Sequence, residues 1–417
     1  MLASCGGGKS KKATNPTTST TQPGGVTTTA AGGSPPGSAT IALPKGSDPT
    51  RFGLSATVVI TDKDVPMVAY IDHDPNDDKK FDDSTVFAAL LDPTTGRMTT
   101  PVTVAKGDTD GRGRQLSAAF DSSTKTIGVA WTAAPNQIDA AFSTDGGTTW
   151  QRTTVVKDET LSPSGPALAM AGGKATVAFV AEGKGVAVAT SPSEGSSATW
   201  TVTNVPAPAG GQSLRQVHPG IAASSNGTAT VTVVADAAAG GVEVDAWTVG
   251  SASLVKVMDS NKVQNDSPSV ALAGSGSKLV AAATICRSED DGNCLYSVVS
   301  SDGGKTWGDF VKIPNDATDG ASFQTEAAAS STAAAVVWSP NSSNGSDQCG
   351  RPELSRSPDQ HTWTSCLFDK GKTFGVSTDA YGAAFASDGT LYLVFQNASQ
   401  GEAPALGAGV WLVKQAA

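Results

Sequence analysis

Apolar residues fall in short runs along this chain, and no stretch repeats them at the 3.6-residue period of a helix. Seven runs align with one another: Leu54 to Ile60, Leu116 to Phe120, Pro166 to Ala171, Pro219 to Ala223, Pro268 to Ala273, Phe323 to Ala329 and Ala380 to Ala386. A tight polar turn follows each, and then a richer apolar strand: Val65 to Ile71, Thr126 to Thr132, Ala175 to Ala181, Thr228 to Ala235, Lys278 to Ile285, Ala333 to Trp338 and Leu391 to Phe395. The turns carry Ser, Gly, Asn or Asp, as in Ser224-Ser225-Asn226-Gly227 and Ser387-Asp388-Gly389, which is hairpin chemistry. A third strand follows every pair, and in the first six units a fourth follows as well. The units recur at roughly fifty residues, and a long fixed period marks radial or solenoid repetition rather than a sandwich. The pattern predicts an all-β chain, a seven-bladed β-propeller of four-stranded antiparallel blades.

The seventh unit stops after its third strand, Gly409 to Lys414. Near the other end, Ala39 to Gly46 resembles the fourth strands of other units, such as Asp309 to Asn315. An open edge at the seam of a ring invites aggregation, so Ala39 to Leu43 is expected to pair with Gly409 to Lys414 and close the circle. The alternative is that Ala39 to Gly46 is linker. The predicted organisation is a tether over residues 1–38 and a propeller over 39–417.

Between the outer strands of two units an octet recurs. Ser143-Thr144-Asp145-Gly146-Gly147-Thr148-Thr149-Trp150 returns as Ser300-Ser301-Asp302-Gly303-Gly304-Lys305-Thr306-Trp307. The Asp carboxylate can accept backbone N–H groups within the turn, the two glycines supply positive φ, and the Trp starts the returning strand. Two eroded copies run from Ser191 to Trp200, with Glu194 in the acidic place, and from Ser355 to Trp363, with Asp359. The octet resembles the Asp-box, or bacterial neuraminidase repeat, of sialidase-type β-propellers. That resemblance implies a structural corner set away from the ligand, with Ser143, Asp145, Gly147, Trp150, Ser300, Asp302, Gly304 and Trp307 as its framework.

Composition narrows the partners. With 46 Gly, 23 Pro and 16% charged residues in 417, the chain is turn-dense and long enough for a sizeable core. Its formal net charge of −10 argues against nucleic acid and anionic lipid surfaces, leaving sugars, proteins and cations.

The N-terminal Met1-Leu2-Ala3-Ser4-Cys5-Gly6 resembles the lipobox of bacterial lipoproteins, although the basic and apolar regions that precede such a box are not in the sequence. The resemblance implies lipidation at Cys5 and a cell-surface or periplasmic location, with the membrane touched only through the anchor. Residues 6–38 form a Gly/Ser/Thr/Pro tract that cannot bury a core and reads as a tether. Setting Cys5 aside leaves four cysteines, spaced as two local pairs that suit an exported protein, Cys286 with Cys294 and Cys349 with Cys366. Other connectivities fit the count. No Cys-x-x-Cys occurs and only His73, His218 and His361 are present, which disfavours zinc.

In a propeller the links from strand two to three and from one blade to the next share a face. Here that face carries the long polar links, residues 72–83, 107–114, 157–165, 207–218, 287–293, 316–322 and 339–350, so it is the expected binding face. In the first link, Asp72, Asp74, Asn76 and Asp78 alternate as oxygen ligands for a hard cation such as Ca²⁺ would, though Asp77 and Pro75 depart from an EF-hand loop and a solvated acidic loop is the leading explanation of the run.

The sialidase resemblance implies three arginines on a sugar carboxylate, a Tyr nucleophile beside a Glu, and an Asp acid/base. Arg114, Arg215 and Arg287 fall on the expected face, and Tyr381 and Glu326 lie on inner strands of neighbouring blades. The Phe/Tyr-Arg-Ile/Leu-Pro motif of the family is absent, Arg51-Phe52-Gly53-Leu54 standing near its place in altered order. Trp131 and Trp338 end second strands near this rim, where they either stack on sugar or pack between blades. The leading reading is a monomeric, lipid-anchored propeller that binds an extracellular glycan or protein. Alternatives are a sialidase-like or other glycoside hydrolase, and an extracellular assembly or scaffold factor.

Overall fold

Each apolar run folds back against the strand that follows it, because the polar turn between them reverses the chain within a few residues. Blade 2 shows the scheme: Leu116–Asp121, Thr126–Ala134, Gln137–Ser143 and Gln151–Lys157 pair in sequence order, all antiparallel. Its first turn is set by Asp121, whose carboxylate accepts the Ser123 N–H at 2.7 Å, and by Lys125 at φ +60°. The computed structural model describes residues 38–42, 52–73, 85–106, 116–195, 199–238, 240–260, 268–287, 294–314, 322–340, 353–365, 376–397 and 409–416. Among these residues there is no helix, and the strands form seven separate antiparallel sheets.

Seven sheets become one ring through seven apolar cores, one at each joint between blades. Phe142 and Ile138 of blade 2 meet Phe179 and Met170 of blade 3, for example, and Val58 and Tyr70 of blade 1 meet Tyr392 and Leu412 of blade 7. The last pairing makes the ring complete. Trp131 packs in the joint of blades 1 and 2 and Trp338 in that of blades 5 and 6, each at most 1% exposed. Neither offers a face to a sugar; both are core, and truncating such a side chain typically costs about 3–5 kcal/mol.

The seam closes as the chain pattern anticipates, displaced by one residue. Ser38–Ala42 pairs antiparallel with the third strand of blade 7, Ala39 opposite Lys414 and Ala42 opposite Trp411, and takes the place of the missing fourth strand. Leu43 lies outside the described residues. Blade 6 has a three-stranded sheet, Ser322–Ala329, Ala334–Pro340 and Glu353–Ser357, with a single bridge between Arg356 and Thr364 in the fourth position.

Both octets form the corner their residues call for, between third and fourth strands. Asp145 Oδ1 accepts the N–H groups of Thr148 and Thr149 at 3.1 and 2.9 Å, and Oδ2 accepts the Thr149 hydroxyl at 2.6 Å. Ser143 Oγ donates to Asp145 and accepts the Gly147 N–H, each at 2.8 Å. Ser300, Asp302, Gly304 and Thr306 repeat these bonds. The Thr hydroxyl and amide donors hold both Asp carboxyls down to about 2.

The eroded copies depart from expectation in different ways. In blade 6 the serine that donates to Asp359 is Ser357 rather than Ser355, and Gln360, at φ +66°, stands where glycine stood. In blade 3 Glu194 reaches the first turn of blade 2, where it accepts the Thr124 hydroxyl.

Cys286 and Cys294 are joined, as their spacing suggests, with Cα atoms 4.4 Å apart across the strand-two to strand-three link of blade 5. Cys349 and Cys366 lie outside the described residues, as does Cys5. A loop this short, once closed, removes enough unfolded-state entropy to contribute roughly 2–3 kcal/mol. The Cys286→Ser, Cys294→Ser double variant is therefore expected to unfold at lower denaturant concentration by that margin, and the wild type to match it once reduced.

Candidate functional site

Inner strands begin on the long-link face and run to the corner face, so residues equally far from the first turn stand at one height around the axis. At mid-height all seven inner strands line a central cavity of about 160 Å³. Its wall includes Thr57 of blade 1, Ser117 of blade 2, Gly220 of blade 4, Glu326 of blade 6 and Gly382 of blade 7. Small residues dominate because the strands crowd. Ser117 Oγ accepts the Leu168 N–H of the next blade at 2.9 Å, which satisfies an inner edge that has no further strand to pair with.

Two ionisable side chains line this cavity among the described residues, Glu326 and His218. His218 precedes the inner strand of blade 4 and is enclosed by the ring. Burial pushes its imidazole down to about 4, partly offset by its hydrogen bond to the Pro166 carbonyl, so at neutral pH it is uncharged. Its placement was not evident from the sequence, where only the adjoining Pro219-Gly220 marks the start of a strand.

The other residues expected at a catalytic site are not gathered here. Arg215 bonds Asp236 at 2.8 Å, on the rim of blade 4. Arg287 lies over the Phe310 ring at 4.7 Å and 3.7 Å from Asp259, between blades 4 and 5. Neither lines the central cavity. The backbone of Tyr381 pairs with Phe395 in blade 7, and its side chain lies outside the described set, as does Arg114. Among the described residues no three His, Cys, Asp or Glu side chains are grouped for a metal. Asp74, Asn76 and Asp78 are outside that set, and Asp72 is described only in its backbone.

A second cavity opens on the long-link face between blades 3 and 4, with a volume of about 420 Å³. One wall is the Gly183-Lys184-Gly185 turn of blade 3 and the other is the link from Val205 to Gln216. That link is fixed along blade 4: Arg215 N–H donates to Val234 O at 2.8 Å and Asp236 N–H to Ser213 O at 3.0 Å. Gly185 abuts Leu214 so closely that a Cβ there would sit 2.4 Å from the Leu214 Cβ. Gln212, Ser213 and Gln216 line the space, and the Gln212 side-chain oxygen is buried without a hydrogen-bond partner. Among the described residues Lys184 is the one charged residue in its lining. Amide and hydroxyl groups at a rigid rim suit a polar ligand. Chain pattern alone marked this link as long, but nothing in it singled out Gln212.

The fold and these cavities define a seven-bladed β-propeller with polar openings at its axis and on its long-link face. No protein family matches the chain, and no curated protein does. Solved structures resemble it distantly. A Trypanosoma rangeli sialidase in complex with the inhibitor DANA shares 14% identity over 78% of this chain, with a TM-score of 0.45, and the chain spans 57% of that protein's length. A protein of unknown function from Dyadobacter fermentans shares 11% identity over 92% of this chain and 100% of its own, with a TM-score of 0.49. A lectin from Aleuria aurantia in complex with Fucα1-6GlcNAc shares 13% over 77% and 96%, with a TM-score of 0.43. Likenesses this distant carry no activity from one chain to another.

Proposed function

We propose that the protein is an extracellular binding propeller that takes a glycan or protein ligand on its long-link face, held to the membrane through lipid on Cys5, with Asp-box corners bracing the opposite face. The observation that carries the reading is the cleft between blades 3 and 4. Its lining offers side-chain amides, including that of Gln212, a hydroxyl and glycine backbone with little charge, the groups with which a polar ligand forms hydrogen bonds. Two of the three candidate arginines for a carboxylate-gripping site, Arg215 and Arg287, are engaged in ion pairs with Asp236 and Asp259 instead.

Screening the folded protein against immobilised oligosaccharides and peptides, followed by titration of the best binder, tests this. Gln212→Ala is expected to weaken that binder about tenfold, the ~1.4 kcal/mol of one hydrogen bond, with unchanged melting. Binding that survives the substitution intact removes the cleft from the reading.

The hydrolase reading rests on Glu326, a carboxyl group in the central cavity that the uncharged His218 also lines. Release of sialic acid from a fluorogenic sialoside, abolished in an equally stable Tyr381→Phe protein, would replace the binding reading with the enzyme.

A further inference from the structure

On the corner face, where the first turns and the octet corners lie, blade 3 meets blade 2 through two acidic side chains. Asp121 ends the inner strand of blade 2 and is 2% exposed. Its carboxylate accepts the Gly173 N–H from the first turn of blade 3 at 2.7 Å, and the Ser123 N–H and hydroxyl, each at 2.7 Å. Glu194 comes from the third-to-fourth-strand corner of blade 3. One of its oxygens accepts the Thr124 hydroxyl at 2.7 Å, across seventy positions of sequence, and Thr126 also bonds it. The other oxygen is buried without a partner, and the Asp121 carboxyl stands close enough to act on Glu194 through its charge and as a hydrogen-bonding neighbour.

Among the described residues no cation on the surrounding elements offsets the pair. Lys125 of the same turn lies 3.6 Å from Asp62 of blade 1. Lys174, beside Gly173, lies against Gly227 of blade 4. From the outer strand of blade 2, the residue beside this corner is neutral Gln151, which abuts Gly195. Two carboxyl groups in contact cannot both be ionised cheaply, so one must carry a proton.

We infer that Glu194 and Asp121 hold one proton between them and that this proton latches blade 3 to blade 2, closed in acid and released as both groups ionise. The proton belongs on Glu194. Burial, and then the neighbouring Asp121 charge, push the Glu194 carboxyl up to about 7, against the pull of Thr124 and Thr126. For Asp121, burial raises the carboxyl, but the Ser123 and Gly173 donors and the Glu194 hydroxyl outweigh it and hold it below its usual value.

A carboxyl raised on folding contributes stability that is complete below its unfolded value, near 4.5, and is lost as pH rises through about 7. The joint is therefore tightest in mild acid and loosens on the alkaline side of neutrality, whereas an ordinary paired carboxylate does the reverse. The device acts on the corner face and stands apart from ligand binding at the cleft.

Amide hydrogen exchange of the full protein, with chelator present, tests the latch at pH 5.5 and 8.5 after correction for intrinsic exchange. Peptides covering 121–127 and 172–175 are expected to lose about tenfold in protection at the higher pH, the ratio that corresponds to one pKa unit of coupling. Glu194→Gln keeps a donor to Asp121 without a proton to lose, so its protection in these peptides should stay high at both values. Glu194→Ala should be open at both. Equal pH dependence in the wild type and Glu194→Gln, or wild-type protection at pH 5.5 in Glu194→Ala, overturns the latch.

Discussion

Deleting residues 39–46 lowers the stability of the whole propeller by roughly 5 kcal/mol, whereas deleting residues 6–34 leaves its melting unchanged. The magnitude follows from the seam. Five residue pairs join Ser38–Ala42 to Trp411–Gln415, and a ladder of that length at about 1 kcal/mol per bond accounts for most of the loss. Losing the strand also turns the third strand of blade 7 into an edge. Its Trp411, Leu412 and Val413 belong to the cores that join blade 7 to blades 6 and 1, so the damage spreads to both joints. Chemical denaturation of the two deletion proteins decides the matter, and equal midpoints would refute closure by this strand.

Replacing Gly382 or Gly220 with Val is expected to cost about 3 kcal/mol each, at the upper end of what overpacking does. A Cβ on Gly382 would stand 2.8 Å from Val58 N and 2.9 Å from Thr57 Cα, backbone of blade 1 that cannot rotate away. On Gly220 it would meet Leu272 N of blade 5 at 2.6 Å. Both positions face the next inner strand, so a side chain would force the ring to widen. Gly250, where a Cβ meets nothing within 4 Å, lies in a turn; although its φ of +91° strains an Ala there, Gly250→Ala should cost less than either. Urea titration of the three variants compares them directly, and a Gly382→Val protein as stable as Gly250→Ala would show that the inner ring yields.

The ring was legible in the chain because its signals are local and repeated. An apolar run, a polar turn and a second run define a hairpin wherever they occur, and seven in register define blades. The Asp145 and Asp302 corners were legible for the same reason, since every bond that Asp makes lies within four residues. Glu194 shows where such reading fails. Its place in the corner looked right, but its carboxyl is claimed by Thr124, seventy positions away, and no local pattern records that. Arg215 and Arg287 fail in the same way. They fall on the expected face, yet Asp236 and Asp259 reach them first, and a single sequence does not say which acid a given arginine meets. Gln212 and His218 owe their settings to the closed ring and the neighbouring blade, so their environment emerges only once the blades are side by side.

The register at the seam also fixes the face on which the closing strand enters the ring. Ser38 lies opposite Gln415, at the corner-face end of the third strand of blade 7, and Ala42 runs toward the long-link face, from which blade 1 begins. Ser38 thus stands on the corner face, on the far side from the cleft between blades 3 and 4. A ligand held in that cleft would therefore sit across the full height of the ring from the strand that closes it.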